Sequence, residues 1–377
     1  MSLSFQKIFY AILTIFALFT ILILAKTVLI PLAFALLTAF ILYPLVKKYE
    51  SWGANKTLST LFAMITLVLI LLGGITAFSS QIIQISTHLD EFKDKILGVF
   101  ADITIFINDN IPMGTPLEKG ELLEKLKTWF NASIGSLVNK TFSGTVAFLT
   151  GLVSTVVFTF LILLYSEGLV FAFSNFYPER NRGKAIAMFK SVYSVGKSYL
   201  IGVVTIVLIL GFVNSIGLWI IGIDSPFLFG FLASILAIIP YVGTVAGAII
   251  PVLYALVAYD SVWMPVVIAL FFWLVQVIES NYLTPKVVGG KLQVNALTAI
   301  MSIIIGASVW GIVGMILFLP FAAMLRVVSQ AYIELQPLAM LIGDENYMDD
   351  KTNDISVPNR LKKLLDKLFA FFKFSKK

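Results

Sequence analysis

Glu279 stands at the end of an uncharged run that begins at Ser261, with Gln276 three residues before it and Ser280, Asn281 and Tyr282 directly after it. Ionisable side chains in or beside apolar segments are costly, so a carboxylate in this position calls for a use. On a helix, residues three apart share a face, so Gln276 and Glu279 would present an amide and a carboxylate together. Such a group can bind Na⁺, carry a proton, or accept hydrogen bonds from a polyhydroxylated solute. The plainer alternative is a capping or loop-fixing carboxylate paired with Lys286 or Lys291. Lys26, Glu167, Asp224, Asp260 and Arg326, the other candidates, sit where apolar runs begin or end.

Other chemistry is scarce. The chain has no cysteine and one histidine, His88, and it contains neither an HExxH pair nor a GxSxG elbow, so a hydrolase or metalloenzyme has no constellation to stand on. "GKS" at 196–198 resembles the end of a phosphate-binding loop, but position 191 is Ser191 rather than glycine, and the surrounding pattern is helical. The reading is a protein that is not an enzyme, needs no cofactor or metal, and draws on gradients rather than bound ATP if it moves anything.

The elements that position Glu279 follow from composition. Hydrophobic residues make up 59% of the 377, charged residues 13%, and the mean hydropathy is +0.96. Soluble domains are about 45–50% apolar and about 25% charged, so this is an integral membrane protein. Uncharged runs cover 8–25, 27–46, 57–87, 141–166, 198–223, 225–259, 261–278 and 292–325. About 20 residues of helix cross the hydrocarbon, so the fold class is an all-α membrane protein of about eight membrane segments. The first run lacks a small-residue cleavage site and is read as a retained helix.

Two runs are longer than one ordinary crossing and are interrupted at the middle. In 225–259, Pro226 suits a first helical turn after Asp224 or Ser225, and Pro240 with Gly243 and Gly247 breaks the helix. In 292–325 the break falls in "GASVWG", Gly306 to Gly311. Irregular backbone at membrane depth survives only where protein or a water-filled cavity covers it, and paired broken segments point to a transport site. The candidate pathway residues are Gln276, Glu279, Asn281, Pro285, Lys286 and Asn295 in the connector, Pro240, Gly243 and Thr244 at the first break, and Gly306 and Ser308 at the second. Small-xxx-small spacing at Gly243 and Gly247, Ser302 and Gly306, and Ala307 and Gly311 also suits plain helix packing. Both runs can be single tilted crossings, giving eight spans, or re-entrant hairpins around six crossings. The hairpin arrangement puts Lys286 and Lys291 on the side of the other basic loops, as the positive-inside rule prefers.

The organisation is three helices in 1–87, an extramembrane helical insert in 88–140, two further helices joined by a basic linker in 141–223, the two broken segments in 224–334, and a tail in 335–377. Lys47, Lys48 and Lys56, and then Arg180, Arg182, Lys184, Lys190 and Lys197, assign their loops and both termini to the cytoplasm. The insert has eight acidic residues against six lysines, which places it outside, and its turn is expected near Pro112. In the tail, seven basic residues in 359–377 alternate with leucines and phenylalanines, an amphipathic helix suited to anionic lipid rather than to nucleic acid.

With these residues in view, the second half resembles the autoinducer-2 exporter family. The resemblance is carried by Pro240, Tyr241 and Gly243; by Glu279, Asn281, Leu283, Pro285, Lys286 and Gly289; and by Gly306, Gly311, Gly314 and Pro320. Asn295 stands where family members often have proline. The resemblance implies a bacterial inner-membrane protein and a homo-oligomer, with a pentamer as the candidate form. It implies export of the signal autoinducer-2 or Na⁺/H⁺ antiport. A membrane scaffold that transports nothing is the rival from another class.

Overall fold

The computed structural model describes residues 5–87, 149–240, 242–259, 263–289 and 292–343, with the isolated positions 98, 128 and 261. The expected turn near Pro112, nearly all of the 88–140 insert, the basic tail helix, Tyr241 and Lys291 lie outside these. Among the described residues there is no strand, only one isolated antiparallel bridge between Val294 and Gly343.

The elements are α1 (Phe5–Leu24), α2 (Lys26–Ser51), α3 (Lys56–Thr87), α4 (Leu149–Ser174), α5 (Arg182–Ile221), α6 (Pro226–Leu236), α7 (Val242–Ala258), α8 (Trp263–Ile278), α9 (Ala296–Trp310), α10 (Ile312–Ala331) and α11 (Gln336–Ile342). Among the described residues, six helical stretches are long and apolar enough to cross a membrane: α2, the 56–79 part of α3, α4, Glu179–Ile221, Trp263–Val287 and α10. Their outward sides carry exposed Leu, Ile, Val and Phe, the pattern of helices solvated by lipid, while small and polar residues such as Ala35, Ala63, Ser59, Thr60 and Ser215 are buried between helices. The chain is therefore a multi-pass α-helical membrane protein. The basic segment at 182–197 is no loop: it forms the first turns of the 40-residue helix α5.

Both long runs turn back on themselves. Helix α6 ends at Leu236, the chain turns through Pro240, and α7 returns against α6, with Gly243 lying on the Leu236 carbonyl and Gly247 on Ala233. Contacts that move backward along α6 as they move forward along α7 define an antiparallel hairpin. A Cβ on Gly247 would stand 2.9 Å from the Ala233 Cα, so the two helices touch through backbone. The second hairpin turns at Gly311, whose φ of +63° and ψ of −140° only glycine adopts without strain. Gly306 on α9 then lies directly on the backbone of Gly314 on α10. The two hairpins differ in their arms: α10 is 20 residues and can cross alone, whereas α6 has 11.

The ends of the bundle are fixed by polar contacts. Lys47 Nζ on α2 donates to Glu50 at 2.8 Å and to Glu167 on α4 at 2.7 Å, and Lys56 on α3 stands 3.5 Å from the same carboxylate. These contacts gather the ends of α2, α3 and α4. Four residues before Lys47, the Tyr43 ring packs edge-on against Tyr193 of α5, with centroids 5.5 Å apart. Near this level Val195, Tyr199 and Val203 of α5 cluster with Val287, Leu292 and Ala323. The connector between α8 and α9 thus lies at the same end as the basic segments, as fold-back of the first long run requires.

Candidate functional site

Helix α8 does not stop at Glu279. Backbone from Glu279 to Leu283 and from Pro285 to Gly289 continues as π-helix, so Pro285 does not end the helix, which runs on to Gly289. The reason is local. Pro285 has no N–H and would clash with the carbonyl four residues back in an α-helix. Widening the turn to i→i+5 bonding, as in the Thr284 N–H to Glu279 carbonyl bond, relieves that crowding. Side chains serve the carbonyls that the wider turn shifts out of register. Ser280 Oγ donates to the Gln276 carbonyl at 2.8 Å, and Asn281 Nδ2 to the Val277 carbonyl at 2.8 Å.

The same change of pitch builds the carboxylate's surroundings. Gln276 Nε2 donates to Glu279 Oε2 at 2.7 Å, as the i, i+3 spacing led one to expect. Thr284 Oγ1 donates to Glu279 Oε1. A residue five positions on does not overlie Glu279 in an α-helix, but the π register brings it one turn above. No ion pair reaches Glu279 among the described residues, so the alternative of a pair with Lys286 does not form here. Glu279 is half-buried, while Asn281, Pro285 and Lys286 are exposed.

Glu279 and Gln276 open into a cavity of about 350 Å³ between α5, the first hairpin and α8. Its walls include Leu210 and Asn214 of α5, Ala233 of α6, Thr244 and Ala248 of α7, and Phe272 and Trp273 of α8. Most of the lining is apolar, with a few polar atoms to orient a guest, the usual constitution of a small-molecule site. Among its lining residues there is no lysine, arginine or histidine.

Of the residues chosen from sequence, Glu279, Gln276 and Thr244 line this cavity. Pro240 and Gly243 form the turn and the close helix contact that shape the hairpin beside it. Gly306 is a packing contact with Gly314, and Ser308 bonds back to the Ile304 carbonyl at 3.0 Å on α9. Asn295 acts elsewhere as a clasp. Its Oδ1 caps α9 by accepting from Thr298 N at 2.8 Å, and its Nδ2 donates to the carbonyls of Leu341 at 2.7 Å and Gly343 at 3.0 Å. The cavity takes its walls from the first broken segment, and Gly306, Ser308 and Asn295 do not line it.

Asn214 escaped the sequence reading. It is 4% exposed, and its Oδ1 has no hydrogen-bond partner among the described residues. The available signal was an amide in the middle of the uncharged run 198–223. A search confined to ionisable residues passes over it.

Comparison with known proteins agrees with this architecture. The family model described as "AI-2E family transporter" matches residues 8–334. "Putative transport protein YrrI" of Bacillus subtilis is 24% identical over 82% of this chain and 88% of its own length. "AI-2 transport protein TqsA" of Escherichia coli is 24% identical over 85% of this chain and 91% of its own, and "Putative transport protein YueF" of Bacillus subtilis is 26% identical over 80% and 83%. A multi-pass helical chain with two fold-back hairpins, matched over 327 consecutive residues, belongs to the AI-2E family of transporters.

Proposed function

We propose that this transporter exports a small polar solute of the autoinducer-2 kind across the bacterial inner membrane, driven by an ion gradient, with Glu279 as the carboxylate that meets the solute or the coupling ion. The observation that carries this reading is the cavity beside the first hairpin, where Glu279, Gln276, Thr244 and Asn214 line mostly apolar walls. Broken helices around a mid-bundle polar site are how gradient-driven transporters bind their cargo. The sequence lacks a nucleotide-binding loop, which favours a gradient as the source of work. One relative's name, an AI-2 transport protein, supports the choice of solute. In this reading both termini face the cytoplasm, the protein is a homo-oligomer with the pentamer as the candidate form, and lipid covers the exposed apolar faces.

Reconstitution tests it. Purified protein in proteoliposomes is given imposed pH or Na⁺ gradients, and autoinducer-2 flux is followed with and without the gradient. Gradient-dependent flux that Glu279→Gln abolishes supports the reading. Unchanged flux in that variant removes Glu279 from the mechanism, and absence of flux under every gradient overturns the proposal.

A further inference from the structure

We infer that the cleft between α2 and the second hairpin binds one anionic phospholipid, with an acyl chain in the cleft and the headgroup phosphate on Lys26. The cleft is a cavity of about 330 Å³, walled by Leu29, Ala33 and Leu36 of α2 and by Phe318 and Phe321 of α10, with Trp310 at the end of α9. Trp310 carries the one side-chain N–H among the lining residues. That group is already used: Nε1 donates to the Leu22 carbonyl at 2.9 Å, beside the bend at Ala25 where α1 gives way to α2. A cavity with such walls has nothing to hold water. Leu32, also in the wall, is 39% exposed, so the cleft opens on the outer side of the bundle, where acyl chains are the solvent.

Lys26 sets the charge of the guest. Lys26, Leu29, Ala33 and Leu36 stand at i, i+3, i+7 and i+10 of α2 and so form one stripe of the helix. Lys26 is exposed, Leu29 half-buried and Ala33 buried, so the stripe leads from a cation into the cleft. Among the described residues no carboxylate pairs with Lys26. Its depth fits a headgroup as well. Lys26 precedes Lys47 by 21 residues of α2, about 32 Å of helix, and the hydrocarbon is about 30 Å thick. With Lys47 in the ion cluster at one face of the bilayer, Lys26 reaches the phosphates of the other. The second hairpin turns at the same level, because the 20 residues of α10 lead from Gly311 to Tyr332, which meets Tyr177 beyond the end of α4. Trp310, one residue before that turn, thus stands at the interface, where tryptophan is favoured.

Trp310 also provides the test. The full chain is reconstituted in phosphatidylcholine bilayers in which a minor fraction of the lipid has brominated acyl chains, on either phosphatidylglycerol or phosphatidylcholine. Bromine quenches indole fluorescence at contact, and subtracting the signal of the Trp310→Phe variant isolates Trp310. Brominated phosphatidylglycerol is expected to reach Trp310 with about fivefold higher affinity, the worth of one lysine at an anionic headgroup. Lys26→Gln should abolish that preference and Lys26→Arg should keep it. Ala33→Phe fills the cleft and should reduce the quenching by phosphatidylglycerol at least about threefold. Ala33→Leu, a smaller addition, should reduce it in part, and serves if the larger side chain prevents folding. Equal affinity for the two lipids, a preference that survives Lys26→Gln, or quenching unchanged in a folded Ala33 variant overturns the inference.

Discussion

Thr284 donates its hydroxyl to the carboxylate of Glu279 five residues earlier, a contact that exists because the backbone between them is π-helical. The proline that would end an α-helix here instead changes its pitch, and the change of pitch supplies the carboxylate with a second donor beside Gln276. π-Helical turns within longer helices occur frequently at functional sites. In this protein the turn links the element that reads as a breaker in the sequence to the group that reads as chemistry.

The Thr284 contact is measurable. Thr284→Val keeps the shape and removes the donor. A hydrogen bond to a charged group is worth about 1.5–3 kcal/mol, and half-exposure of the site places the expected loss at the lower end. The same substitution in a Glu279→Gln background should cost less. A coupling of about 1 kcal/mol in a double-mutant cycle, read by reversible unfolding in detergent, checks it, and additivity would show that the two residues do not communicate.

Glycine substitutions should divide sharply by position. Gly306→Ala and Gly314→Ala each push a methyl into the backbone of the opposing arm, and overpacking of this kind costs about 1–3 kcal/mol. Gly168 on α4 meets nothing within 4 Å, so Gly168→Ala should be neutral or stabilising by up to about 1 kcal/mol. Thermal unfolding of the three variants side by side is the measurement. Equal effects would mean that the α9–α10 crossing is not this close.

Asn295 should matter to the end of the chain more than to the cavity. Asn295→Asp retains the cap on α9 but loses the two Nδ2 donors to Leu341 and Gly343. Amide exchange across 336–343 is expected to speed up in that variant while exchange in α9 is unchanged. Asn295→Ala removes the cap as well, at a further cost of about 0.5–2 kcal/mol, and should loosen both.

Much of this arrangement was legible in the residues. Pro240 and Gly311 mark the two hairpin turns, because a missing donor and a positive φ leave little choice of backbone. Gln276 and Glu279 were paired correctly, because i, i+3 geometry is local. The π turn was not legible: proline followed by glycines reads equally as an end or as a widened turn, and the outcome depends on Ser280, Asn281 and Thr284 serving the displaced polar groups. Asn295 was misleading for a different reason. It sits beside the connector in sequence, but its partners are 46 and 48 residues away. Asn214 was hidden by the opposite circumstance, a single amide in an apolar run whose burial appears only in the folded bundle.

Burial should decide which charged residues hold the fold together. Arg326 is 3% exposed on α10 and directs its Nη1 to the Gln293 carbonyl at 2.8 Å and its Nη2 to Gln293 Oε1, gripping a residue held at a φ of +51°. That planar fork is beyond a lysine, so Arg326→Lys is expected to cost about 1.5–3 kcal/mol and to loosen the connector at 292–295. Glu167 engages Lys47 and Lys56, but its side chain is 62% exposed. Glu167→Gln should therefore cost about 1 kcal/mol or less, and raising the salt concentration should shrink that difference further. Unfolding of both variants at low and high ionic strength separates the cases. A salt-insensitive loss at Glu167 larger than the loss at Arg326 would mean that the ends of α2, α3 and α4, rather than the connector, carry the electrostatic stability of the bundle.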